Sequence, residues 1–194
     1  MKTTHSSPIV QSVPMIIKQG NTDKFFIRKA VEADLPMLVD FLAKLALHVA
    51  GAPQLKLKKK ERSRLMNVMR ASLSDPDKLI LVAAAPDDSA IGMGYIYISR
   101  NQGIWEQAEE TESKSAFIDD VWVEADFRNL GIFRAIMRKL VEFAEDHDVH
   151  ELILEYALSN KEAEAVWTRL GFKPTGVRAA AFTQTVQQAL VKRP

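Results

Sequence analysis

The chain has 194 residues, 47% of them hydrophobic and 26% charged, with a formal net charge of +1 and no cysteine. Such a length and apolar share suffice for one buried core, while near-neutrality gives no basis for a nucleic-acid or anionic-membrane partner. Disulfides, thiolate nucleophiles and cysteine metal sites are excluded, which fits a reducing, cytoplasmic setting.

Residues 1–24 carry one lysine near their start and a short broken apolar patch, Val13 to Ile17, unlike a signal peptide; they read as a mobile arm ahead of a folded domain over 25–194. Phe25 to Lys29 reads as a first strand. Glu32-Ala33-Asp34 then supplies an acidic helix start before the spacing Leu35, Leu38, Val39, Leu42, Leu45, Ala46, Val49, stopped by Gly51-Ala52-Pro53. A basic run from Lys56 to Arg64 opens a second helix that Asp75-Pro76-Asp77 ends, and its lysines read as a solvated face. Leu79 to Ala84 and Ile91 to Ser99 form a hairpin around Pro86-Asp87-Asp88-Ser89, with Gly92 and Gly94 marking a bulge or a close approach.

A polar loop with Glu106, Glu109, Glu110 and Glu112 leads into a strand from Ala116 to Val123. The junction at the end of that strand is the most informative stretch of the chain. Val121-Trp122-Val123 runs into a short loop holding Arg128 and Gly131, and then directly into an amphipathic helix from Ile132 to about His147. First-turn N–H groups of a helix point outward with the positive end of its dipole, so such a junction can bind a phosphate through backbone alone. An ordinary strand-to-helix turn accounts for the same residues, and a single glycine matches neither the Walker nor the dinucleotide pattern. A strand from Glu151 to Tyr156, a helix from Lys161 to Leu170 and closing strands near Phe172 to Val177 and Ala181 to Val186 complete the expected order, an α/β domain with a mixed sheet. His5, His48, His147 and His150 lack the spacing of metal ligands, so no metal is expected. No apolar run of about 18 residues occurs, so no membrane span is expected.

Three local patterns taken together, from about Phe25 to Val186, resemble the GNAT acetyltransferases, which move an acyl group from coenzyme A to an amine. They are Arg128-x-x-Gly131 after the strand ending Val121-Trp122-Val123, Asn160-x-x-Ala163 after the next strand, and Leu170-Gly171-Phe172 closing the following helix. The resemblance implies a mostly antiparallel mixed sheet with helices on both faces and a splayed strand pair that admits the coenzyme. Backbone at Val121 and Val123 would pair with the pantetheine arm, with Trp122 between them in the same coenzyme-binding stretch. The loop of Arg128, Asn129, Leu130, Gly131, Ile132, Phe133 and Arg134 would cradle the phosphates, and Asn160, with Ala163 and Trp167 on the same helix, would hold pantetheine. Two departures stand out: Phe133 replaces a usual Gly or Ala, and Trp167 replaces the tyrosine that often protonates the leaving thiolate. Indole N–H is not acidic enough for that, which leaves Tyr156 or water.

Acetyl-CoA is thus the expected co-substrate and a small cationic amine the expected acceptor, and a homodimer is compatible with the sequence. Attack by an amine requires its deprotonation, about 3 to 4 pKa units for an alkylamine at neutral pH. A backbone N–H near Glu155 and Tyr156 would stabilise the developing oxyanion. Asp119 and Asp120 stand on the strand facing the cleft, and alternation puts them on opposite faces, so at most one acts as base; both also fit as ordinary edge acids. From Glu106 to Asp120 the chain holds six acids and one lysine, which favours a cation. Two alternatives stay open: a non-catalytic acyl-CoA sensor, consistent with Trp167, and an acetyltransferase acting on a protein lysine or N-terminus.

Overall fold

The computed structural model describes residues 24–51, 56–100, 114–176 and 179–191. The expected arm, except for Lys24, and the glutamates from Glu106 to Glu112 therefore lie outside the described residues. Two compact units make up the chain, Met1–Glu155 and Tyr156–Pro194.

In the first unit a five-stranded sheet has the order β1 (Phe26–Lys29), β2 (Lys78–Ala84), β3 (Ala90–Arg100), β4 (Lys114–Val123) and β5 (Leu152–Leu154). The first three pairings are antiparallel, and β4 with β5 is parallel. The hairpin between β2 and β3 closes where Asp88 takes a positive φ of 66° and the Asp87 carboxylate accepts from the Ser89 N–H.

Helices cover both faces. Residues on alternate positions of β2 and β3, Ile80, Val82, Ala84, Met93 and Tyr95, form one core with Leu35, Leu38, Phe41 and Leu42 of α1 (Leu35–Val49) and Met69 of α2 (Lys59–Leu73). The helix start foreseen at Glu32 to Asp34 is a short 3-10 turn, where the Asp34 carboxylate accepts from the Val31 N–H and twice from Arg28. On the opposite face lies α3 (Ile132–Glu145), whose buried stripe is Ile132, Ile136, Met137, Leu140 and Ala144. Gly94 explains how α3 approaches so closely. A Cβ there would stand 2.3 Å from Cγ2 of Ile136, so this glycine marks a close approach rather than a bulge.

The second unit departs from the expected order. After α4 (Lys161–Arg169) no strand forms among the described residues, and the segment read as a last strand, Ala181 to Val186, instead runs into a helix, α5 (Thr183–Val191). Its sequence explains this: Gln187, Gln188, Ala189 and Leu190 are helix formers, and Phe182, Val186 and Leu190 recur at helical spacing. No helix among the described residues is long and apolar enough to cross a membrane.

Candidate active site

The pairing of β3 with β4 contains one irregularity, and it falls on the acidic pair. Ile96 pairs with Ile118 and Tyr95 with Asp120, so Asp119 is an extra residue without a partner in β3. Its effect is set by the pleat. Phe117 shares a face with Tyr97, on which its ring stacks at 5.3 Å, and Ile118 points to the buried opposite face. Alternation returns Asp119 to the Phe117 side; the inserted residue then leaves Asp120 on that side too, beside its partner Tyr95. The expectation that the two acids lie on opposite faces is therefore corrected. A bulge interrupts the period of two, and both carboxylates emerge on the face of Tyr95 and Tyr97.

Their environment disfavours charge. Burial, and then the negative charge of Asp119, push the Asp120 carboxyl up to about 7. Asp119 is raised by desolvation and then by the charge of Glu155, although its exposed position lets water screen the effect. Burial first, and then the charge of Asp119, raise the Tyr97 hydroxyl. No hydrogen bond or ion pair among the described residues reaches either aspartate. Glu155 is thus a third carboxylate of the group. In the sequence it stood out only as part of a strand end, since its nearness to Asp119 comes from the parallel pairing of β4 and β5. No group of three or more His, Asp or Glu residues able to hold a metal ion occurs among the described residues.

Next to the carboxylates β4 loses its neighbour among the described residues. Pairing with β5 ends at Ile118 and Leu154, while β4 runs on to Val123. The strand foreseen from Glu151 to Tyr156 is accordingly reduced to Leu152–Leu154, because the bulge bends β4 away and ends the ladder. Backbone direction in this stretch can be read from one bond. The Glu124 N–H donates to the Ile91 carbonyl, so Glu124 and Trp122 turn toward β3, and Val121 and Val123 turn their N–H and C=O groups to the opposite edge. That edge is where an added extended chain would pair.

The loop beyond β4 keeps the shape of an anion cradle. Asn129 and Gly131 both have positive φ, 63° and 87°, and Gly131 is the N-cap of α3, with no side chain capping the first turn. Ile132 is buried and anchors the turn, Phe133 is half-buried, and Asn129, Leu130 and Arg134 are exposed. Arg128 lies over the Trp122 ring, 5.5 Å from its centroid, and its Nε–H donates to the Val123 carbonyl at 3.3 Å. The residues present therefore fit a phosphate-bearing coenzyme: an unpaired strand edge leads to a helix N-terminus with a cation beside it.

In the second unit Asn160 is the N-cap of α4. Its Oδ1 accepts from the Ala163 N–H at 3.1 Å, which leaves the Nδ2 hydrogens as donors. Leu170-Gly171-Phe172 forms a Schellman C-cap: the Gly171 N–H donates to the Thr168 carbonyl and the Phe172 N–H to that of Trp167, with Gly171 at a φ of 94°. The apolar contact that accompanies this motif is the Trp167 ring against Phe172, 5.6 Å apart and edge-on. Tyr156, half-buried, opens the unit.

A model of the acetyltransferase (GNAT) family matches residues 45–172. Over 89 residues the chain is 25% identical to a Bacillus subtilis protein named as a ribosomal protein bS18-alanine N-acetyltransferase, covering 46% of this chain and 56% of the relative. It is 30% identical over 115 residues to an Oryza sativa subsp. japonica protein named as a glucosamine 6-phosphate N-acetyltransferase, 58% of this chain and 63% of the relative. The match thus spans less than two thirds of either curated relative. A predicted acetyltransferase from Clostridium acetobutylicum, solved with acetyl-CoA, shares the fold at a TM-score of 0.68 and 17% identity, covering 83% of this chain and 97% of that one.

Proposed function

The chain belongs to the GNAT acetyltransferase family, and from that premise we propose that it transfers an acetyl group from acetyl-CoA to the amine of a small cationic acceptor. When bound, the coenzyme supplies the acetyl thioester. The backbone of Val121 and Val123 orients its pantetheine arm, and the Arg128 to Phe133 loop with Arg134 holds its phosphates; Asn160, the N-cap of α4 in the second unit, keeps its Nδ2 hydrogens as donors. Asp120 takes the proton that the acceptor's ammonium must lose. A carboxyl near 7 is a far better match to that task at neutral pH than an ordinary carboxylate, whose pKa lies about 3 units lower. Asp119 and Glu155 attract the cation to the same face.

The observation that carries this reading is the bulge, which sets two carboxylates on one face directly before the unpaired edge of β4. Its test is thiol release from acetyl-CoA with a panel of cationic, neutral and anionic amines. Turnover is expected with a cationic amine; preference for a neutral or anionic acceptor rejects the assignment of the acceptor. Tight coenzyme binding without turnover on any amine or basic peptide would identify a sensor instead.

Trp167, whose indole N–H is not acidic, is assigned no part in proton donation. Its contact with Phe172 is one that another aromatic ring can make, so Trp167→Phe is expected to keep turnover within a few-fold of the parent. Steady-state kinetics decide: a loss of about a hundredfold with unchanged coenzyme binding is what removal of a general acid produces, and would overturn this assignment.

A further inference from the structure

The geometry around Trp122 assigns this indole a positioning role: we propose that its ring face holds the Arg128 guanidinium at the end of the unpaired β4 edge, so that Trp122 sets coenzyme affinity without touching the coenzyme. The inference rests on the coenzyme reading of the loop given above. Trp122 lies on the face opposite to α3, because it pairs with Met93, a member of the core beneath α1 and α2. Its side chain therefore does not reach along the edge toward which Val121 and Val123 direct their backbone groups. Arg128 does reach that edge, since its Nε–H donates to the Val123 carbonyl while its guanidinium covers the indole. The two contacts fix different ends of one planar group and keep its charge beside the phosphate loop.

The indole is itself held from α1. His48 meets it edge-on, with ring centroids 6.1 Å apart, and Lys44, one turn earlier in α1, pairs with Glu124 at the end of β4. One side of this bracket is therefore a helix of the core and the other an exposed loop. Such an arrangement restricts an arginine that would otherwise sample many rotamers, and less ordering is then needed when an anion binds. The Trp122 Nε1–H is buried and has no hydrogen-bond partner among the described residues, and the contacts with Arg128 and His48 are made by the ring. Phenylalanine should consequently replace it well, and an aliphatic side chain should not.

Calorimetric titration with coenzyme A of the parent, W122L, W122F, R128A and the W122L/R128A double variant tests this. W122L is expected to weaken binding about two- to fivefold, the range of a cation–π contact at a partly exposed site, with W122F nearer the parent. In the R128A background W122L should add nothing further. The Michaelis constant for acetyl-CoA should rise while turnover at saturation stays unchanged. Losses that multiply in the double variant, or a W122L protein with parental affinity, would overturn the inference. The Arg128 Nε–H proton resonance reads the stacking without coenzyme, as an upfield ring shift present in the parent and lost in W122L; its absence from the parent also overturns it. A parent protein that shows this shift but binds no coenzyme A would overturn the coenzyme reading, and the inference with it.

Discussion

Asp120→Asn is expected to lower turnover by about a hundredfold or more and, at the same time, to make the protein more stable at pH 8. Both effects come from one cause. In the folded chain the Asp120 carboxyl titrates near 7, raised by burial and then by Asp119, whereas in the unfolded chain it titrates near its ordinary value of 3.8. Between those two values the folded state keeps a proton that the unfolded state has released, so this group's contribution to stability falls as pH rises from about 4 to 7 and levels off above. A difference of about 3 units corresponds to about 4 kcal/mol at most, and partial exposure and coupling to Asp119 lower it. Asparagine is neutral throughout and escapes the loss. Urea melts at pH 5 and pH 8 should therefore show the variant's lead over the parent growing from the lower pH to the higher. Turnover of the parent should rise through about pH 7 and lose that inflection in the variant. A variant no more stable at pH 8 than at pH 5, relative to the parent, would show that Asp120 is not held in a desolvated site. Parental turnover would remove it from the chemistry.

This tension between stability and activity was only half legible in the sequence. The adjacent carboxylates are visible there, and so is the strand that carries them, but a strict period of two sends them to opposite faces. One extra residue reverses that, and nothing in Ile118-Asp119-Asp120 announces it: the bulge is set by the register of β3 against β4, a pairing between segments more than twenty residues apart in the chain. The nearness of Glu155 to Asp119, across the parallel pairing of β4 and β5, was equally hidden, and the contact of Arg128 with Trp122, though close in sequence, depends on the path of the loop between them. Local signals fared better. The apolar spacing of α1 placed it at Leu35–Val49, Gly131 marked the start of α3, and Leu170-Gly171-Phe172 is a helix stop whose glycine has the positive φ that the cap requires. The segment from Ala181 failed because its β-branched residues suggested a strand, whereas its glutamines and Leu190 form a helix.

Gly131→Val is expected to weaken coenzyme binding by about ten- to a hundredfold while the protein stays folded. Two causes can act here: a bulky side chain that obstructs the backbone's approach to a phosphate, and the strain of the backbone itself. Beyond its chain neighbours, a Cβ at Gly131 would meet no atom of the described residues within 4 Å, so the core does not object to it. The constraint is the φ of 87°, which a β-branched residue adopts only with strain of about 1–3 kcal/mol, a factor of roughly five to more than a hundred if binding requires the strained loop. Valine would relieve that strain by shifting the N-cap, turning the first N–H groups of α3 away from the direction in which an anion is held. Asparagine separates the two explanations, because it has a Cβ of its own yet tolerates the left-handed region. Titration with coenzyme A should then place Gly131→Asn between the parent and Gly131→Val. Equal losses for the two variants would mean that the side chain blocks the coenzyme directly. Unchanged affinity in a folded Gly131→Val protein would mean that the loop from Arg128 to Phe133 does not hold the phosphates at all.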